Sequence, residues 1–119
     1  MPKIRSVHVI AALIVLLMSG CSDKSQPALL EWFTRSPEGA AITVHFTTGW
    51  CDKVSAPSAD ETKDQVLVTI PVETARADSP CESIAPKPHD VLVNLKEPLG
   101  SRVVRGPRQA DPVREQAGG

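Results

Sequence analysis

The stretch QVLVTIPVE, residues 65–73, decides the fold class of this chain. Its larger aliphatic residues occupy every second position: Val66, Val68, Ile70 and Val72. Period-two spacing places these side chains on one face of an extended strand. Leu67 on the other face indicates that this side is also partly buried. Pro71, which cannot donate to a ladder, indicates an edge or a strand end.

Two other stretches alternate apolar with polar residues in the same way. Their apolar positions are Ile42, Val44 and Phe46 in the first, and Val91, Val93 and Leu95 in the second. Residues 53–64 are polar and predict an irregular or edge strand. Short strands at this spacing predict an all-β fold, a small sandwich or barrel-like domain of antiparallel strands.

Residues 36–39, Ser-Pro-Glu-Gly, separate an apolar segment at 29–35 from the alternating stretch that follows. Proline presets the second position of a type I turn, and glycine suits the fourth. The sequence therefore predicts a hairpin here.

Length and composition allow one domain with one small core. The chain has 119 residues, of which 41% are hydrophobic and 3% aromatic, with no tyrosine. A core built from aliphatic residues favours strands. Without the first 20 residues the chain carries 11 basic and 14 acidic residues, a net charge near -3. This mild acidity excludes the clustered basic face that nucleic-acid binding needs.

The N-terminus has the organisation of a secretory leader. Lys3 and Arg5 precede ten uninterrupted apolar residues at 9–18, and the small residues Ser19 and Gly20 follow. Ten residues cross about half of the ~30 Å of membrane hydrocarbon, so a permanent spanning helix is not expected. We predict a signal peptide at residues 1–20.

The end of this leader, Met18-Ser19-Gly20-Cys21, resembles the lipobox of bacterial lipoproteins. The resemblance implies that the sulfur of Cys21 carries a diacylglyceryl group and that Cys21 becomes the first residue of a palmitate-type acylated protein. Such a protein is held on a membrane of the cell envelope, facing the periplasm or the exterior. Met18 stands where the family usually has leucine. An ordinary secretory leader, with Cys21 free or disulfide-bonded, is the alternative.

If Cys21 carries lipid, Cys51 and Cys81 are an even pair in an exported, oxidising compartment. A disulfide between them is then the expected state. A redox or metal-binding pair is the alternative, but the separation of thirty residues lacks the C-x-x-C spacing of such sites.

A second resemblance covers about two-thirds of the mature chain. Its motifs are Gly49-Trp50-Cys51, Glu61-Thr62-Lys63-Asp64, the strand at 66–70, Cys81, and the segment at 93–104. This order resembles uncharacterised small exported proteins of actinobacterial type. The resemblance implies the β fold and the disulfide, and it implies no activity.

These observations divide the chain into four parts. Residues 1–20 are the lipoprotein signal peptide, 21–28 a polar tether, and 29–105 the β domain. Residues 106–119 are rich in proline and glycine and lack periodicity, which predicts a disordered tail.

Motifs of common enzymes and nucleotide-binding sites, such as H-E-x-x-H, G-x-S-x-G and the P-loop, are absent from the sequence. His45 and His89, with Asp52 and Asp90 nearby in sequence, could form a two-histidine metal site, but two exposed polar positions are favoured. The acidic cluster Asp60, Glu61 and Asp64 similarly predicts a solvated turn in preference to a calcium site.

The aromatic and arginine side chains also have two interpretations. Trp32, Phe33, Phe46 and Trp50 form either a ligand-stacking patch or part of the core, with Trp50 the best candidate for exposure. Arg102, Arg105, Arg108 and Arg114 either contact anionic headgroups or wall polymer, or solubilise the tail.

The leading hypothesis is a non-enzymatic, lipid-anchored β domain that acts as an interaction or structural module, with no cofactor. Its expected partners are the bilayer, through acylated Cys21, and an envelope protein or polymer. One alternative is an inhibitor of an envelope or host hydrolase. Another is a small hydrolase or metal-dependent enzyme that uses His45 or His89.

Overall fold

The computed structural model describes residues 25–75, 81 and 84–117, so the leader and Cys21 lie outside the described residues. Within the described part the chain is all-β, as predicted. Its strands are β1 Ser25–Pro27, β2 Trp32–Arg35, β3 Ala41–Gly49, β4 Lys53–Val54, β5 Ser58–Glu61, β6 Gln65–Thr69, β7 Pro71–Glu73, β8 Pro86–Asn94, β9 Val103–Arg105 and β10 Arg114–Glu115. Across the same residues, no helix is long and apolar enough to cross a membrane.

The strands form two layers. One layer is a four-stranded sheet with the order β10-β2-β3-β8. The other consists of two three-stranded sheets, β1-β7-β4 and β5-β6-β9. These follow each other end to end, because Ile70 alone separates β6 from β7. The predicted irregular region at 53–64 supplies the edge strands β4 and β5.

The core lies between the two layers and is mainly aliphatic. The four-stranded sheet contributes Phe33, Ile42, Val44, Phe46 and Val93, and the opposite layer contributes Val66, Val68, Ile70, Val72 and Val104. All four aliphatic positions of the 65–73 stretch are buried, and Leu67 is half-buried. The period-two pattern therefore identified the inner face correctly.

The predicted hairpin joins β2 to β3. The backbone N–H of Gly39 donates to the carbonyl oxygen of Ser36 at 2.9 Å, and Arg35 pairs with Ile42 across the two strands. Gly39 has a φ of +73°, where residues with a Cβ are strained. A Cβ there would also lie 3.4 Å from the backbone nitrogen of Leu99. Glycine is therefore the residue that this turn accommodates best.

Two of the strand pairings are parallel, namely β10 with β2 and β6 with β9. Both β9 and β10 lie at the edge of a sheet. Parallel neighbours need a connection that crosses over, and a hairpin cannot provide one. Here the chain passes from β8 in one layer to β9 in the other, and then back to β10.

The predicted disordered tail is wrong for residues 106–117. Val113 is buried, β10 pairs with β2, and the side-chain amide of Gln109 both donates to and accepts from the backbone of Leu30. The sequence gives no periodic signal here, because a two-residue strand bonds through its backbone and its side chains are polar.

The N-terminal boundary of the domain also differs from the prediction. Ser25–Pro27, assigned to the tether, forms β1 and pairs with β7, and Ala28 is buried in the core. The polar side chains of this stretch concealed a strand that is held by its backbone. The folded domain thus begins four residues after Cys21.

Candidate functional site

His45 and His89 lie on opposite faces of the four-stranded sheet. His45 pairs with Asp90 across β3 and β8, and Phe46 pairs with His89 one position further along. Because successive residues of a strand point to opposite faces, the two imidazoles cannot ligate one metal ion. The alternative of a two-histidine site is therefore excluded. The favoured interpretation, two exposed polar positions, is also wrong, because both histidines are half-buried. Among the described residues, no three His, Cys, Asp or Glu side chains form a group that could hold a metal.

His45 belongs to a row of side chains on the outer face of this sheet. Its ring stacks on the indole of Trp32, with the centroids 3.5 Å apart and the planes 10° apart. Its Nδ1 contacts a carboxylate oxygen of Asp90. Arg114 pairs with Trp32 on the other side. The row Arg114-Trp32-His45-Asp90 therefore crosses all four strands. His45 associates with Asp90 and not with Asp52, which lies seven residues away in the chain.

His89 and Asp52 have local structural contacts. The Nε2 of His89 lies 2.8 Å from the hydroxyl of Thr48, and its ring stacks on Phe46. The carboxylate of Asp52 accepts hydrogen bonds from the backbone N–H groups of Gly49 and Ala75. Both side chains hold the ends of strands in place.

The four aromatic residues do not form one ligand-stacking patch. Phe33 and Phe46 are buried in the core, Trp32 lies in the outer row, and Trp50 is 49% exposed beyond the end of β3. Trp50, the best candidate for exposure among the four, is thus exposed. The ammonium of Lys87 lies 5.2 Å from the centre of its ring.

The three residues of the acidic cluster, Asp60, Glu61 and Asp64, also differ in their surroundings. Asp60 and Asp64 are exposed, whereas the Glu61 side chain is only 9% exposed. Its carboxylate accepts from the backbone N–H of Lys96 at 2.7 Å and of Glu97 at 3.3 Å, and it pairs with Arg102 at 3.2 Å. Glu61 is thus an internal ion-pair partner, and the predicted solvated turn is wrong for this residue.

Arg102 completes this internal pair, and its side chain is 11% exposed. Besides Glu61, its guanidinium donates to four backbone carbonyl oxygens, those of Thr62, Glu97, Pro98 and Leu99. We call Glu61 and Arg102 the carboxylate–guanidinium clamp. The clamp fastens the β5–β6 turn to the connection that leads from β8 to β9.

The environment of Glu61 keeps its carboxyl ionised. Burial alone raises the pKa of this group, because desolvation disfavours the charged form. Hydrogen bonds from Lys96, Glu97 and Arg102 act in the opposite direction and outweigh burial, so that the pKa lies below its usual value. The clamp is therefore a charged pair at neutral pH.

The clamp forms part of the wall of a cleft of about 620 Å³. The cleft is bounded by residues 61–63 and 96–102. A general acid or base must have a free position toward a substrate. Both charged groups of the clamp instead form their hydrogen bonds with other groups of the protein. The clamp is therefore a structural part of the cleft wall.

Two more of the C-terminal arginines, Arg105 and Arg108, also bind within the domain, and so does Arg35 of β2. Arg35 forms a two-point pair with Glu115, at 2.6 and 2.9 Å, which secures β10. Arg105 donates to the carbonyl of Ala110, and Arg108 donates to the side chain of Gln26. Of the four arginines named from the sequence, Arg102, Arg105 and Arg108 thus stabilise the fold.

The predicted pair Cys51 and Cys81 forms a disulfide, with the Cα atoms 6.0 Å apart. It joins the loop after β3 to the segment before β8. Cys21, the predicted lipid attachment site, lies outside the described residues.

Comparison of the chain with protein-family models, with curated proteins and with solved structures finds no match.

Proposed function

We propose that this protein is an envelope lipoprotein, attached to a membrane through acylated Cys21, whose β domain is a non-enzymatic interaction or structural module. The observation that carries the proposal is the leader that ends in Met18-Ser19-Gly20-Cys21. The folded domain supports it, because β1 begins at Ser25, directly after a short connection.

The short connection gives the domain a defined orientation. Four Cα–Cα steps separate Cys21 from Ser25, so that even a fully extended chain reaches about 14 Å. Ser25 pairs with Glu73 at the end of the sandwich. The end that contains Ser25 would therefore lie at the membrane surface.

The same orientation turns the cleft away from the membrane. β6 and β7 run from Gln65, beside the cleft, to Glu73, beside Ser25. Nine residues of extended chain cover roughly 27 Å. The cleft and the β2–β3 hairpin would thus face an envelope protein or polymer in the surrounding compartment, which suits a module displayed for contact.

Cys21→Ala tests the anchor. We expect the variant to move from the membrane fraction to the soluble fraction, because stable attachment of an exported domain of this kind depends on its acyl chains. Ser22→Ala retains the cysteine and serves as the matched control, which should stay with the membrane. Membranes are washed with high salt before both proteins are quantified. A Cys21→Ala protein that remains in the washed membrane pellet would refute the proposal.

A further inference from the structure

Two exposed apolar side chains lie at the end of the sandwich where the folded domain begins. The large hydrophobic residues exposed in the described part are Leu29, Trp50, Ile84, Leu92 and Val103. Trp50 is 49% exposed and Ile84 is fully exposed. Trp50 follows the last residue of β3 and Ile84 lies two residues before the first residue of β8, so both are at the same end of the four-stranded sheet.

The backbone and the disulfide hold Trp50 and Ile84 near each other. Gly49, just before Trp50, pairs with Pro86. Cys51, just after Trp50, is bonded to Cys81. Ile84 lies between Cys81 and Pro86 in the chain, and so both of its flanks are fixed to the neighbours of Trp50.

The start of the folded chain lies at this same end. Ser25 pairs with Glu73, and Glu73 pairs on its other side with Lys53. Two strand spacings, about 10 Å, therefore separate Ser25 from Lys53. Lys53 follows Trp50 by three residues. The carboxylate of Asp52 binds the backbone at both Gly49 and Ala75, which keeps the loop at this position.

We propose that the surface formed by Trp50, Ile84, Lys53 and Lys87, here called the docking end, rests in the interface of the bilayer that holds Cys21. Tryptophan favours the boundary between headgroups and acyl chains, and lysine extends its ammonium toward the headgroups. This inference rests on the proposed lipid anchor.

Two features of the docking end decide how it would bind. Glu73 is exposed beside Lys53 and offsets one positive charge, so that the apolar side chains contribute more than charge. Two apolar side chains alone give weak membrane affinity. Covalent attachment through Cys21 makes their contact intramolecular, and the high effective concentration then favours docking.

Tryptophan quenching in vesicles tests the docking end. The full-length acylated chain is reconstituted in vesicles of phosphatidylethanolamine and phosphatidylglycerol whose acyl chains carry bromine, which quenches nearby indoles. The chain has two tryptophans, and Trp32→Phe leaves Trp50 as the only one. We expect its emission to fall by about half relative to vesicles without bromine, because an interfacial indole lies close to the acyl chains.

Trp50→Phe is the matched control, since it leaves Trp32 on the outer face of the sheet, where we expect little quenching. In the Trp32→Phe background, Ile84→Asp should reduce the quenching of Trp50, whereas Leu92→Asp, at an exposed position on the outer sheet face, should not.

Flotation of the vesicles separates failure of docking from failure of the anchor. Protein that floats with the vesicles but shows no bromine quenching of Trp50 would overturn the docking end and leave the anchor standing. Protein that does not float with the vesicles would overturn both proposals.

Discussion

Replacing Arg102 with methionine should lower the free energy of unfolding by roughly 3 kcal/mol at neutral pH. This value is at the lower end of the range for broken buried ion pairs, because water in the cleft reaches part of this pair. The variant leaves the carboxylate of Glu61, only 9% exposed, without its cation. It also leaves four backbone carbonyl oxygens without their guanidinium donor. Urea unfolding of the wild type and the variant measures the loss.

Arg105→Met is the matched control, because the side chain of Arg105 donates to one backbone carbonyl, that of Ala110. Its expected cost is about 1 kcal/mol. If Arg102→Met unfolds within about 0.5 kcal/mol of the wild type, as an ordinary surface substitution does, the structural role of the clamp is contradicted.

The clamp also gives stability a defined dependence on pH. The pKa of Glu61 in the folded protein lies below its ordinary value of 4.5. The folded state therefore binds this proton less readily than the unfolded state. The contribution is complete above the unfolded-state pKa and is lost as pH falls through the lower folded-state pKa. The stability difference between the wild type and Glu61→Gln should accordingly shrink below about pH 4.5.

Removal of the disulfide should have an effect of similar size. The double variant Cys51→Ala, Cys81→Ala should lose about 3 to 4 kcal/mol, since the bond closes a loop of some thirty residues and limits the unfolded chain. The measurement is the denaturant midpoint of each protein, with and without a reducing agent.

Reduction should bring the wild type close to the double variant and leave the double variant itself unchanged. Cys21→Ala controls for the loss of a cysteine outside the bridge and should keep the wild-type midpoint. A wild-type midpoint that does not respond to complete reduction would refute a stabilising role for Cys51–Cys81.

The elements that could be predicted from the sequence are those that bury alternate side chains. β3, β6 and the last part of β8 each place aliphatic residues toward one core, and this requirement is visible as a period of two. The β2–β3 hairpin was also predictable, because its turn needs proline and glycine at particular positions.

The elements that the sequence concealed are held by the backbone. β1 and β10 are two or three residues long and mostly exposed, and they pair with β7 and β2 without a repeating apolar pattern. Their positions depend on which strand edges the longer strands leave open. Local composition therefore made both segments resemble linkers.

The contacts of the candidate site depend on register and on sequence-distant pairs. Glu61 and Arg102 are 41 residues apart. The sequence alone assigned Glu61 to a solvated turn and Arg102 to a set of arginines that contact headgroups or wall polymer or solubilise the tail. The association of His45 with Asp90 follows from the β3–β8 register, which a single sequence does not reveal.

The most direct test of the central claim is the intact mass of the protein extracted from membranes, measured before and after reduction. We expect a chain that begins at Cys21, carries the added mass of acyl groups on its first residue, and gains two hydrogens when the Cys51–Cys81 bond opens. A chain that begins elsewhere, or one in which Cys21 has no added mass, would contradict the assignment of Cys21 to the membrane and of the other two cysteines to each other.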